Sequence, residues 1–238
     1  MFALFTPAPR HCTANPAHPS PVLDLPALAG AAAWARLPAA VQRRFGTAHA
    51  DVSYQGHMDL RCSLIGHVYA ALTRAWGGPL THINTTALPA TVNVSHNGRG
   101  GVVWERRFHT GIETENGTDN SADRTVRSTK ELGADGTLLE RTEGGLAMSL
   151  DVLEEDGALV FRSRRFWWVL AGLRIPVPTL LTPGTCRVAH TDLGAGQFRF
   201  TLSMVHPLWG ETFHQSGVFT DPVTDDSTDP AVTDSSTH

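Results

Sequence analysis

The chain has 238 residues, 41% of them hydrophobic and 18% charged, ordinary values for a globular protein that fit one domain. A formal net charge of −4 excludes a general nucleic-acid binder, which needs a basic excess to meet phosphates. Cys12, Cys62 and Cys186 supply neither a disulfide framework nor paired metal-ligand spacing, so no cofactor or metal is expected and the cytoplasm is the expected compartment.

In chain order, Met1–Pro9 lacks the basic start of a secretory signal. Pro7, Pro9, Pro16, Pro19, Pro21 and Pro26 mark residues 1–30 as a Pro-rich disordered arm. The apolar run Ala27–Ala35 is too short to cross a membrane. Leu37-Pro38 opens a helix that continues through Val41 and Phe45 and stops at Gly46. A second helix is expected over 64–76, capped by Ser63 and ended by Gly77-Gly78-Pro79. Leu64, Ile65, Val68, Tyr69, Leu72 and Trp76 make one stripe at helical spacing, which reads as a core face.

Most of the remainder alternates with period two. Tyr54, Gly56, Met58, Leu60 and Cys62 share one strand face, and Val102, Trp104, Arg106 and Phe108 share another. Leu146, Met148, Leu150 and Val152 follow, and Phe198, Phe200, Leu202 and Met204 give the clearest alternation. Turn signals at Asn97-Gly98, Asp135-Gly136, Gly144-Gly145, Asp156-Gly157 and Gly194-Ala195-Gly196 separate these strands, so neighbours should pair antiparallel. The expected fold is α+β. A curved antiparallel sheet of about nine strands, a half-barrel or barrel in mostly meander order, packs on one or two helices. Residues 31–220 form this single domain, and residues 221–238 are a disordered acidic Ser/Thr tail.

The connector from Trp167 to Leu181 is unusually apolar, but Arg174, Pro176 and Pro178 rule out a transmembrane helix. Burial under the chain's own fold is the favoured reading. A pocket lid, a dimer contact or a membrane-surface contact are the alternatives.

Chemistry is sparse. Gly98-Arg99-Gly100-Gly101 lies between strands, not before a helix, so it is no phosphate loop. Twelve histidines show no metal-ligand spacing. The strip Arg162, Arg164 and Arg165 reads as a solvated strand face, and the Asn-X-Ser/Thr matches at Asn84, Asn93 and Asn116 are too short to carry weight. Arg106 shares its face with Trp104 and Phe108 and should point inward. There it needs a carboxylate or a ligand anion, and a strand glutamate such as Glu140 is the favoured partner.

Leu37-Pro38 with Arg43-Arg44-Phe45, the Trp104-Glu105-Arg106-Arg107-Phe108 box, and Leu139-Glu140-Arg141 stand in a specific order and spacing. So do Gly172-Leu173-Arg174-Ile175-Pro176, Gly196-Gln197-Phe198-Arg199-Phe200 and His206-Pro207-Leu208-Trp209-Gly210. Over about residues 36–220 the chain resembles a bacterial domain-of-unknown-function family, the one numbered 4166. The resemblance implies no established activity. It does imply kinship with modules attached to nicotinamide-dependent dehydrogenase-like domains, and hence a dehydrogenase-like partner. A Tyr-Arg-Gly ending common in that family reads Gln215-Ser216-Gly217 here.

The leading functional reading is a binding module for a small apolar or amphipathic ligand between sheet and helix. Trp104, Phe108, Phe161, Trp167, Phe198, Phe200 and Met204 are its candidate walls and Arg106 its polar anchor. The alternatives are an enzyme using an inward Glu or His as general acid or base, and a protein-interaction module acting through residues 167–181.

Overall fold

The computed structural model describes residues 22–46, 51–74, 83–110, 123–143, 145–170 and 173–222. The disordered-arm expectation for residues 1–21, the tail after Pro222, the helix end at 75–79 and the Asn116 motif lie outside them. Three short helices open the described chain: α1 (Leu25–Ala29), α2 (Ala31–Arg36) and α3 (Ala39–Phe45). Strand β1 (Val52–Cys62) leads into α4 (Leu64–Arg74) and then β2 (Thr85–His96). There follow β3 (Val102–Phe108), β4 (Arg124–Leu132), β5 (Leu138–Thr142), β6 (Leu146–Glu155) and β7 (Ala158–Leu170). The chain ends on β8 (Leu173–Val177), β9 (Thr185–Gly194), β10 (Gln197–His206) and β11 (Gly210–Thr220).

The strands form one antiparallel sheet in the order β6-β5-β4-β3-β2-β1-β11-β10-β9-β7-β8, and β6 also pairs with β7. That last pairing closes the sheet on itself. All strands but β8 form a closed up-and-down barrel, which leaves no open sheet edge around the ring. The expectation of about nine strands and a half-barrel option gives way to a full barrel within an eleven-stranded sheet. The one strand outside the ring, β8, comes from the apolar connector. Val160 of β7 pairs with Ala189 of β9, whereas Trp168 pairs with Ile175 of β8. The connector is therefore largely a hairpin.

The two chain-distal strands β1 and β11 close the ring side by side, with Gly56 opposite Phe219 and Met58 opposite Gly217. A Cβ at Gly56 would stand 2.1 Å from the Val218 carbonyl oxygen and 2.7 Å from the Phe219 ring. Glycine there lets the strand bend tightly and gives the ring its place.

Period-two alternation sends one face of every barrel strand inward. Phe198, Phe200, Leu202 and Met204 are all buried, as are Tyr54, Met58 and Leu60. One mouth is covered by α3. Val41 and Phe45, one helical turn apart, are buried, and Phe45 meets Trp104 of β3, Phe161 of β7 and His190 of β9. A single ring touching three strands sits inside the mouth. The arm's boundary also moves. Leu23 and Leu25 are buried, the Leu23 amide donates to the Gly100 carbonyl at 2.8 Å, and α1 packs on β6, so residues 23–30 belong to the domain.

The opposite end carries α4, and here the core-face reading fails. Leu64 is 85% exposed and Leu72 59%, with Val68 exposed as well. The helix instead packs through its small residues Gly66 and Ala70, spaced i, i+4. A Cβ at Gly66 would lie 2.2 Å from the Thr212 carbonyl oxygen, so the two backbones touch and the bulky stripe turns outward. Leu180, Leu181, Leu208 and Trp209 are exposed too, and the Tyr69 hydroxyl donates to the Leu180 carbonyl. Burial of the 167–181 connector under the fold is corrected accordingly: Leu173, Ile175, Leu180 and Leu181 are exposed. No described helix is long and apolar enough to cross a membrane.

Candidate functional site

The barrel encloses a cavity of about 60 Å³. Its walls are mostly aromatic and aliphatic: Trp104, Phe108, Phe198, Phe200 and Met204 all face it. So does Arg106, which settles the inward reading of β3. Two expected wall residues do not line it. Phe161 is buried in the core, packed against Phe45 and His190. Trp167 is partly buried on the other face of β7, because it alternates with Phe166, whose side chain takes the core position.

A charged cluster crosses this apolar space. Lys130 on β4 and Glu140 on β5 are directly opposite in register, and Lys130 Nζ lies 3.2 Å from Glu140 Oε1. Both side chains are buried. Arg106 comes from β3, the next strand round. Its Nη2 donates to Ser128 Oγ at a long 3.4 Å, its guanidinium lies 5.6 Å from the Phe200 ring centre, and its buried Nε has no hydrogen-bond partner among the described residues. The expected Arg106–Glu140 pair is thus replaced. Lys130 holds the carboxylate and Arg106 attracts it from further away.

The electrostatics follow from burial and these neighbours. Burial pushes the Glu140 pKa up, but Lys130, Arg106 and the Ser128 hydroxyl outweigh it and hold the carboxyl below the ordinary range. Burial lowers the Arg106 pKa, while Glu140 opposes the shift. An arginine so placed remains charged. Burial, with Glu140 nearby, drives the Cys186 thiol up to about 12, so it stays protonated and unreactive. The cavity wall therefore carries two cations and one anion.

His190 is 4% exposed and lines the same cavity. Rings surround it: Phe45 at 4.7 Å, Phe200 at 5.4 Å and Trp104 at 5.6 Å between centroids. Its Nδ1 is buried without a hydrogen-bond partner among the described residues. Burial, then the charges of Lys130, Arg106 and Arg44, hold its pKa well below the ordinary histidine range, so the ring is neutral at pH 7.

A second hollow of about 430 Å³ lies at the α3 mouth. It shares the walls Tyr54, Trp104, His190 and Phe198 with the inner cavity. Arg44 forms its polar rim, donating to Asp221 at 2.7 Å and to Asp192 at 3.0 Å, and lies 4.5 Å from the Phe198 ring centre. Burial lowers the Arg44 pKa, but these two carboxylates more than offset it.

Lys130, Ser128, Tyr54, Cys186 and Gln215 of the cavity wall were not readable as site residues. Gln215, the first residue of the Gln215-Ser216-Gly217 stretch, lies on the cavity wall. Among the described residues no three His, Cys, Asp or Glu side chains converge as a metal site.

Fold and site together define an up-and-down antiparallel β-barrel with a charged cluster inside an otherwise apolar cavity. The chain belongs to the family described as domain of unknown function (DUF4166), whose match runs over residues 37–219 and so takes in α3 and nearly all of every barrel strand. A comparison with curated proteins gives no match.

Proposed function

We propose that the barrel is a binding module for a small amphipathic ligand held in its interior. One observation carries this reading. Apolar walls surround Arg106 and His190, each with a buried nitrogen that no described protein group satisfies. A buried polar group without a partner costs about 1–3 kcal/mol, more if charged, so such atoms mark places where something else supplies the bond. Ligand sites commonly combine an apolar concavity with a few placed polar groups. The free buried thiols of Cys62 and Cys186 suit a reducing compartment, and we place this role in the bacterial cytoplasm. The test is native mass spectrometry of the full chain purified from its own host. A retained mass released on denaturation supports the reading, and a bare chain mass together with no uptake of any offered amphiphile contradicts it.

The enzyme reading lacks a comparable observation. Glu140 is engaged by Lys130 and Ser128 rather than by His190. A second reading, as an interaction module, has one. Leu173, Ile175, Leu180 and Leu181 are exposed, as are Leu64 and Val68 of α4. Sedimentation over a wide concentration range would reveal self-association, and Leu181→Asp would abolish it if this face makes the contact.

A further inference from the structure

We infer that the ligand is a small carboxylate amphiphile, its head docked at Arg106 inside the barrel and its tail directed to the α3 mouth. This rests on the binding-module reading and specifies its ligand.

The sign comes from the count of charges. Arg106 and Lys130 face Glu140 alone, so the cavity wall holds one uncompensated positive charge. Lys130 is matched to Glu140, which leaves Arg106 as the docking group. Its one described hydrogen bond is long, and its buried Nε has no acceptor. A guanidinium fork with unmatched donors takes a carboxylate in two parallel bonds. The same count selects a monoanion. One carboxylate brings the cluster to two charges of each sign, whereas a phosphate monoester, at about −1.5 to −2, would overshoot. Neutral His190 adds a hydrogen bond without adding charge.

The arrangement of head and tail follows from size. The inner cavity of about 60 Å³ holds a head group but is smaller than the roughly 150 Å³ that accepts benzene. The hollow of about 430 Å³ stands behind the shared side chains Trp104, His190 and Phe198. A tail longer than the inner space reaches it by displacing side chains, with no strand opening.

The experiment is calorimetric titration of the full chain with octanoate, octanol and octyl phosphate, on the wild type, Arg106→Met and Arg106→Lys. The expected result is octanoate binding at least about tenfold tighter than octanol, the scale of one charge-assisted hydrogen-bonded contact. Arg106→Met should lose that preference and Arg106→Lys should keep only part of it. The three-probe comparison on the wild type decides the matter even if a variant does not fold. Equal binding of octanoate and octanol overturns the carboxylate inference and leaves the binding-module reading standing. Octyl phosphate binding as tightly as octanoate overturns the monoanion assignment. Failure of all three probes to bind counts against both readings.

Discussion

Lys130 and Glu140 face each other across the β4–β5 ladder inside the barrel, 3.2 Å apart, with Arg106 as a second cation beside them. The two partners of this pair are therefore not equivalent. Glu140→Gln leaves two buried cations without an anion and should cost about 3–5 kcal/mol. Lys130→Met leaves Glu140 the attraction of Arg106 and should cost less than about 2 kcal/mol. Urea unfolding of both variants measures the difference, and equal losses would show that Arg106 does not compensate.

Arg106→Met should change stability by less than about 1 kcal/mol, because the Lys130–Glu140 pair stays matched without it. A loss as large as that of Glu140→Gln would make Arg106 a structural counter-ion instead. Urea unfolding of this variant separates an arginine kept for a ligand from one kept for the fold.

His190 should make stability fall with acid. Its unfolded-state pKa is near 6.5 and its folded value lies well below. Between the two, the unfolded chain binds the extra proton, so stability drops as pH falls below about 6.5, by up to about 1.4 kcal/mol per pH unit. Glu140 acts in a separate window. Its folded pKa is depressed from 4.5, so its contribution is lost only as pH falls below that value. Unfolding free energies from pH 7 to 5 should slope less in His190→Phe than in the wild type. Parallel slopes would mean that the folded protein accommodates the imidazolium.

Phe161→Ala should cost about 3–5 kcal/mol, since the ring is 1% exposed and packs on Phe45. Trp167→Ala, on the outer face of β7, should cost roughly half as much or less. Thermal unfolding of the pair tests the inside–outside assignment of that strand.

What could be read from the sequence tracks how cleanly each segment alternates. Phe198 to Met204 sets large apolar residues against Arg199, Thr201 and Ser203, so its inner face is unambiguous. Trp104 and Phe108 likewise placed Arg106 inside. β4 gives no such signal, because Arg124, Arg127, Ser128, Thr129 and Lys130 put polar groups on both faces, and the inward lysine is indistinguishable from its neighbours. In β5, Leu138, Leu139 and Glu140 are buried in succession, so Glu140 could be named but not placed. α4 misleads in a different way. Its apolar stripe has core spacing, yet the contact is made by Gly66 and Ala70, because backbone approach rather than side-chain burial fixes that helix. Barrel closure depends on β6 meeting β7 along its length and β1 meeting β11. The first is a hairpin announced by Asp156-Gly157, but the second joins distant segments and has no local signal.

The most direct measurement is a crystal structure of the full chain grown with octanoate. The carboxylate should lie within the barrel in hydrogen-bond contact with the Arg106 guanidinium, with the chain running past Trp104 and Phe198 toward α3. Octanoate found only on the outer apolar surface of α4 and Leu181, with the barrel interior unchanged, would contradict the account and favour the interaction reading.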